Sequence, residues 1–121
     1  MGNATSLREN EGWDWIDPGM LERWADWFCS PVQRRDPLVS PIYADLRGLP
    51  SIYMQAGGAE ILCDSIQTFA DCAQSQGANV VLESWATMNH DFQMFGYYAP
   101  QSKKALQRIG EVVEANLPRS T

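Results

Sequence analysis

SIYMQAGGAEILCDSIQTFADCAQSQGANVVLESW, residues 51–85, is the stretch whose reading decides the fold. Two short apolar runs, SIYMQAGG (51–58) and NVVLESW (79–85), have the composition of strands, and the first is ended by two glycines. Between them Ile66, Phe69, Ala70 and Ala73 recur at three- and four-residue steps, which places one apolar stripe along a helix. Asp64 and Gln67 have the spacing of a capping box, and Gly77 suits the left-handed position that closes a helix. Strand, helix, strand in that order requires a crossover, so the strands are expected to be parallel and the unit a right-handed βαβ.

Working outward, MNHDFQMFGYYAP (88–100) reads as a loop, and Leu106, Ile109, Val112, Val113 and Leu117 mark a last amphipathic helix, over 102–116, that stops near Pro118. Upstream, SPVQRRDPLVSPIYADLRGLP (30–50) carries four prolines, each of which disfavours helix at the residue before it, and predicts a long extended connector. In DPGMLERWADWFCS (17–30), Asp17 caps a helix with Pro18 in its first position, and Leu21, Trp24 and Phe28 share a face. Residues 1–12 are polar and predict a loose arm. The chain thus divides into an arm plus amphipathic helix, 1–35, and an α/β segment, 36–121.

Composition narrows the function classes. A chain of 121 residues with 45 % hydrophobic content and five tryptophans can bury a core, and disorder of the whole is excluded. Fifteen acidic against nine basic residues, with no basic run, argue against nucleic acid and against an anionic membrane surface. No apolar stretch approaches the ~20 residues of a membrane span, and the first ten residues lack the apolar centre of a signal peptide. A soluble, cytoplasmic protein is expected. Cys29, Cys63 and Cys72 show no CxxC spacing, and one histidine is too few for a zinc site of the usual ligands. Reduced thiols, no metal and no cofactor are expected.

The βαβ reading also makes a statement about chemistry. Reactive groups in open α/β sheets gather beyond the carboxyl ends of the strands. Glu60 lies four residues past Ala56, and His90 five past Trp85. Neighbouring strands are ~4.8 Å apart, so the two loops leave the same sheet edge side by side. A carboxylate meeting an imidazole there can accept its Nδ1–H, fix the tautomer and leave Nε2 to act as a base. The competing reading of His90, set between Met88 and Phe92, is a ring that fills a pocket. For Glu60 it is an acid that offsets a helix dipole, and Asp91 reads as a solvated or turn-forming group.

The run from Asp36 to Phe95, DPLVSPIYADLRGLPSIYMQAGGAEILCDSIQTFADCAQSQGANVVLESWATMNHDFQMF, resembles the C-terminal part of α/β-hydrolase-fold esterases of the hormone-sensitive-lipase type. The shared features are a DP-L-x-SP connector with a later DL-x-GLP, a strand, an acid followed by x-L-x-D, a helix, a second strand and M-x-H-x-F. Weaker similarity in GNATSLRENEGW extends the resemblance toward the N-terminus. It implies the fold class: α/β, the C-terminal fragment of an α/β-hydrolase sheet, two parallel strands with flanking helices. It also implies that His90 is the triad histidine and Glu60 the triad acid, with Asp64 the competitor. Trp24, Trp27 and Phe28 then read either as core or as part of the cover over an acyl pocket.

One departure from the pattern matters. Serine esterases of this fold need a G-x-S-x-G elbow and an HGGG-type loop whose N–H groups hold the oxyanion. Neither occurs in these 121 residues. Cys63 is not a credible substitute, since it falls at a helix start with nothing to supply an oxyanion hole. The resemblance therefore implies the acid- and histidine-bearing part of a carboxylic ester hydrolase, inactive alone, whose ester substrate is met only when a serine-bearing segment completes it. The alternative is a non-catalytic association or binding module of the same descent. A strand edge without its neighbour invites pairing, so a homo-oligomer is expected.

Overall fold

The structure, a computed structural model, describes residues 5–117. Strand β1 (Ile52–Gly57) pairs in parallel with β2 (Val80–Trp85), in a register running from Ile52 opposite Val80 to Gly57 opposite Trp85. A helix, Cys63–Ser75, makes the crossover. Alternate residues of the strands, Ile52, Met54, Val80 and Leu82, pack with Leu46, Phe69, Ala70, Ala73 and Ala78 into the core. Alanines at 70 and 73, both buried, let the helix lie close on the sheet. Gly77 takes φ +87°, the left-handed geometry expected of the residue that ends this helix.

The helix start differs from expectation. Its N-cap is Leu62, already near-helical (φ −88°, ψ −2°), with no side-chain cap. Asp64 therefore falls inside the first turn, where its charge still suits the helix dipole. Its capping partner comes from far away in sequence. The Asp64 N–H donates to Ser6 Oγ (3.2 Å), Asp64 Oδ2 accepts from the Ser6 N–H (2.9 Å), and Ser6 Oγ donates to the Ile61 carbonyl (2.9 Å).

Those bonds correct the expectation of a loose arm for residues 5–12; residues 1–4 lie outside the described residues. Helix α1 (Ser6–Glu9) docks through buried Ser6. Helix α2 (Pro18–Phe28) starts as expected, with Asp17 Oδ1 accepting from the Met20 N–H at 2.8 Å and Pro18 first. The crossover helix is α3. The apolar face of α2 does not enter the core: none of its residues is buried, and Trp27 and Phe28 are 78 % and 74 % exposed.

The connector is more structured than an extended one. Prolines open two 3₁₀ turns, Pro31–Arg35 and Pro41–Tyr43, at the position where a missing N–H is harmless. Arg34 reaches Glu22 (3.1 Å) and Asp26 (2.5 Å) on α2. Gln76 fastens the connector to the end of α3, accepting from the Leu46 N–H (2.8 Å) and donating to the Ala44 carbonyl (3.3 Å).

The chain forms two compact units, one ending at His90 and the other beginning at Asp91. In the second, a 3₁₀ segment (Phe92–Tyr98), kinked at Gly96, packs with helix α4 (Pro100–Asn116). Ser102 Oγ donates to the Gln93 carbonyl at 3.0 Å. The buried positions of α4 are Ser102 and Ala105, whereas Val113 and Leu117, expected on the apolar stripe, are exposed. No helix of the described residues is long and apolar enough to cross a membrane.

Candidate active site

The site begins with two glycines at the end of β1. A Cβ on Gly57 would lie 2.2 Å from the Met88 carbonyl oxygen and 2.6 Å from that of Asn89; one on Gly58 would lie 2.7 Å from Ala86 Cα. Only glycine lets the loop after β2 cross this close. The two loops are then laced together by the Gly58 N–H to the Trp85 carbonyl (2.8 Å) and the Ala59 N–H to the Met88 carbonyl (2.9 Å).

This crossing brings Glu60 to His90. Glu60 Oε2 lies 3.0 Å from His90 Nδ1, a separation at which Nδ1–H donates to the carboxylate. Glu60 is 2 % exposed, so its carboxylate sits where the interaction is little screened, while the His90 side chain keeps 24 % of its surface. The geometry fixes the imidazole by one nitrogen, and chemically such a pair can present the other as a base.

The remaining candidates separate from this pair. Asp64 turns to Ser6 and not to His90. Asp91 is exposed and takes the left-handed conformation (φ 51°) at a turn. At Cys63, burial pushes the thiol up, and the neighbouring charges of Glu60 and Asp64 push it further, the opposite of what a nucleophilic thiolate requires. Cys29, Cys63 and Cys72 form no disulfide.

The site also contains residues that pattern reading passed over. Asp14 Oδ1 accepts from the backbone N–H of His90 (3.2 Å) and of Trp15 (2.8 Å), and its Oδ2 from that of Ile61 (2.9 Å). Trp15 Nε1–H donates to the His90 carbonyl (2.8 Å), and its ring is tilted at 46° over the imidazole with centroids 5.8 Å apart. Asn10 Nδ2–H donates to the Glu60 carbonyl (2.9 Å). The one signal available in the sequence was the weak resemblance in GNATSLRENEGW, which ends at Trp13.

A parallel βαβ sheet whose two C-terminal loops join a buried acid to a histidine is the arrangement of an α/β-hydrolase. The family described as the alpha/beta hydrolase fold matches residues 2–94, and the chain belongs to it. Among curated relatives, an esterase of Acinetobacter venetianus is 39 % identical over 80 residues, 66 % of this chain and 26 % of that protein. An acetyl-hydrolase of Streptomyces hygroscopicus is 30 % identical over 95 residues, 78 % of this chain and 32 % of that one. Among solved structures, an esterase from the bacterial hormone-sensitive lipase family superposes with a TM-score of 0.90 at 32 % identity. That match covers 96 % of this chain and 39 % of the esterase. The chain thus corresponds to a fragment of a hormone-sensitive-lipase-type α/β-hydrolase and spans about a quarter of the first of these curated relatives and a third of the second. Its family is that of carboxylic ester hydrolases.

Proposed function

We propose that this chain supplies the acid and the histidine of a Ser–His–acid triad, with His90 as general base and acid and Glu60 as the carboxylate that orients it. The observation that carries the reading is the 3.0 Å contact between buried Glu60 and His90 Nδ1. The nucleophile is a serine on a portion outside these 121 residues, and the substrate is a short or medium acyl ester. His90 Nε2 takes the serine proton as Oγ bonds to the ester carbonyl carbon. The imidazolium, stabilised by Glu60, then returns that proton to the departing alcohol oxygen as the ester C–O bond breaks. Water, deprotonated by the same nitrogen, attacks the acyl-enzyme; the proton passes back to serine Oγ and the acid is released. No cofactor enters this scheme.

The chain alone is inactive in this reading. The exposed apolar side chains Trp27, Phe28, Val32 and Leu38 favour association, with the serine-bearing portion or as a homo-oligomer, and they equally support a binding module without catalysis. A cytoplasmic location is part of the same proposal. Hydrolysis of a p-nitrophenyl acyl ester is the test, run on the purified chain and on the chain completed by the serine-bearing portion of an esterase relative. Activity of the isolated chain that vanishes in His90→Ala would refute an external nucleophile. Full activity of His90→Ala in the completed protein would refute the role of His90.

A further inference from the structure

We propose that Asp14 is a positioning residue: its carboxylate ties the backbones of the acid-bearing and histidine-bearing loops into one frame and so holds Glu60 and His90 in register. The inference rests on the reading of those two residues as the acid–histidine pair. Asp14 accepts from the N–H of His90 itself and from the N–H of Ile61, the residue next to Glu60. Its bonds span 76 and 47 positions of sequence, which an aspartate merely shaping its own turn would not make. Trp15 adds the second half of the hold on His90, donating to its carbonyl, so consecutive residues fix both backbone polar groups of the histidine. Asn10 holds the Glu60 carbonyl in the same way.

The residue type fits the task. Three converging N–H donors need acceptors on both sides of one planar group, and an ionised carboxylate offers four lone-pair sites and no donor. Asparagine of the same shape would turn an NH₂ toward one of those N–H groups. A carboxylate also binds these donors more strongly than a neutral amide, and a frame this tight matters because misplacement of a reacting group by 1 Å can cost about a hundredfold in rate.

The test uses the single histidine of the chain, whose ring resonances need no assignment among rivals. In the ¹⁵N-labelled 121-residue chain, ring-nitrogen shifts report the tautomer, and the Nδ1 proton reports the bond to Glu60. In Asp14→Asn the Nδ1 proton signal should be lost to exchange and the tautomers should mix. Amide exchange at Ile61 and His90 should rise about tenfold, with Ala70 and Ala73 of α3 unchanged. Trp15→Phe, which keeps an aromatic ring but loses the N–H that holds the His90 carbonyl, should loosen that backbone and speed exchange at His90 alone. Wild-type tautomer and exchange in Asp14→Asn would overturn the inference and leave the acid–histidine reading standing. So would uniform acceleration of all amides there combined with wild-type behaviour of Trp15→Phe. Absence of the Nδ1 proton and its tautomer in the unmodified chain would instead overturn the pair itself, and the inference with it.

Discussion

Replacing Gly57 by alanine should separate Glu60 from His90 without touching either. The new Cβ would stand 2.2 Å from the Met88 oxygen, and real Cβ contacts stay above 3.0 Å, so backbone must move by at least about 0.8 Å. Neither neighbour is a flexible side chain: both close contacts are carbonyls of the loop that carries the histidine. The Met88 oxygen already accepts from Ala59 N–H at 2.9 Å, and a retreat of that size takes the bond out of range. Overpacking costs about 1–3 kcal/mol and the lost bond about 1 kcal/mol, so a loss of roughly 2–4 kcal/mol is expected in guanidinium unfolding. The His90 Nδ1 proton signal should disappear with it. Gly110→Ala is the control, because its Cβ meets nothing within 4 Å and it lies inside α4; it should stabilise by about 0.5–1 kcal/mol. Gly57→Ala with stability within about 0.5 kcal/mol of wild type and an intact Nδ1 signal would refute the crossing argument.

Two further outcomes follow from the geometry. In the completed enzyme, Glu60→Gln should lower kcat by roughly ten-thousandfold with little change in KM, whereas Asp64→Asn, which loosens only the Ser6 contact, should leave kcat within a few-fold; the reverse ranking in steady-state kinetics would transfer the role of acid to Asp64. Cys63, its thiol raised first by burial and then by Glu60 and Asp64, should be alkylated by iodoacetamide more slowly at pH 7 than a free cysteine, with the rate climbing as pH rises beyond the ordinary thiol range, and mass spectrometry after timed quenching reads this directly.

The βαβ core was legible because its signals are local and agree. Periodicity in 64–77, the glycine after α3 and the apolar runs on either side each point to the same elements, and parallel pairing then places Glu60 and His90 on one edge. What escaped has non-local causes. Asp64 resembles a cap by spacing, yet the turn before it is already helical and the cap falls two residues earlier, at Leu62. Ser6 and Asn10 fall in the stretch expected to be a loose arm, and Asp14 carries no local signal, since their partners lie 47 to 76 positions away. Trp27 and Phe28 follow a core pattern and are exposed, because amphipathic spacing says which face is apolar but not what, if anything, covers it. Prolines in 30–50 disfavour helix at the residue before them, yet two of the four, Pro31 and Pro41, are well placed as the first residue of a 3₁₀ turn.

The span between Asp14 and His90 also has a consequence in time. Ribosomes add about 5–20 residues per second, so Asp14 leaves the tunnel roughly 4–15 s before the histidine whose N–H it receives, 76 positions later. Over the last 30 of those positions Glu60 is already made and has no imidazole to meet. Closing the longer loop in place of the shorter adds only about 0.8 kcal/mol of chain entropy. The delay is therefore set by synthesis and not by thermodynamics, and the acid–histidine pair is among the last features of its unit to be assembled.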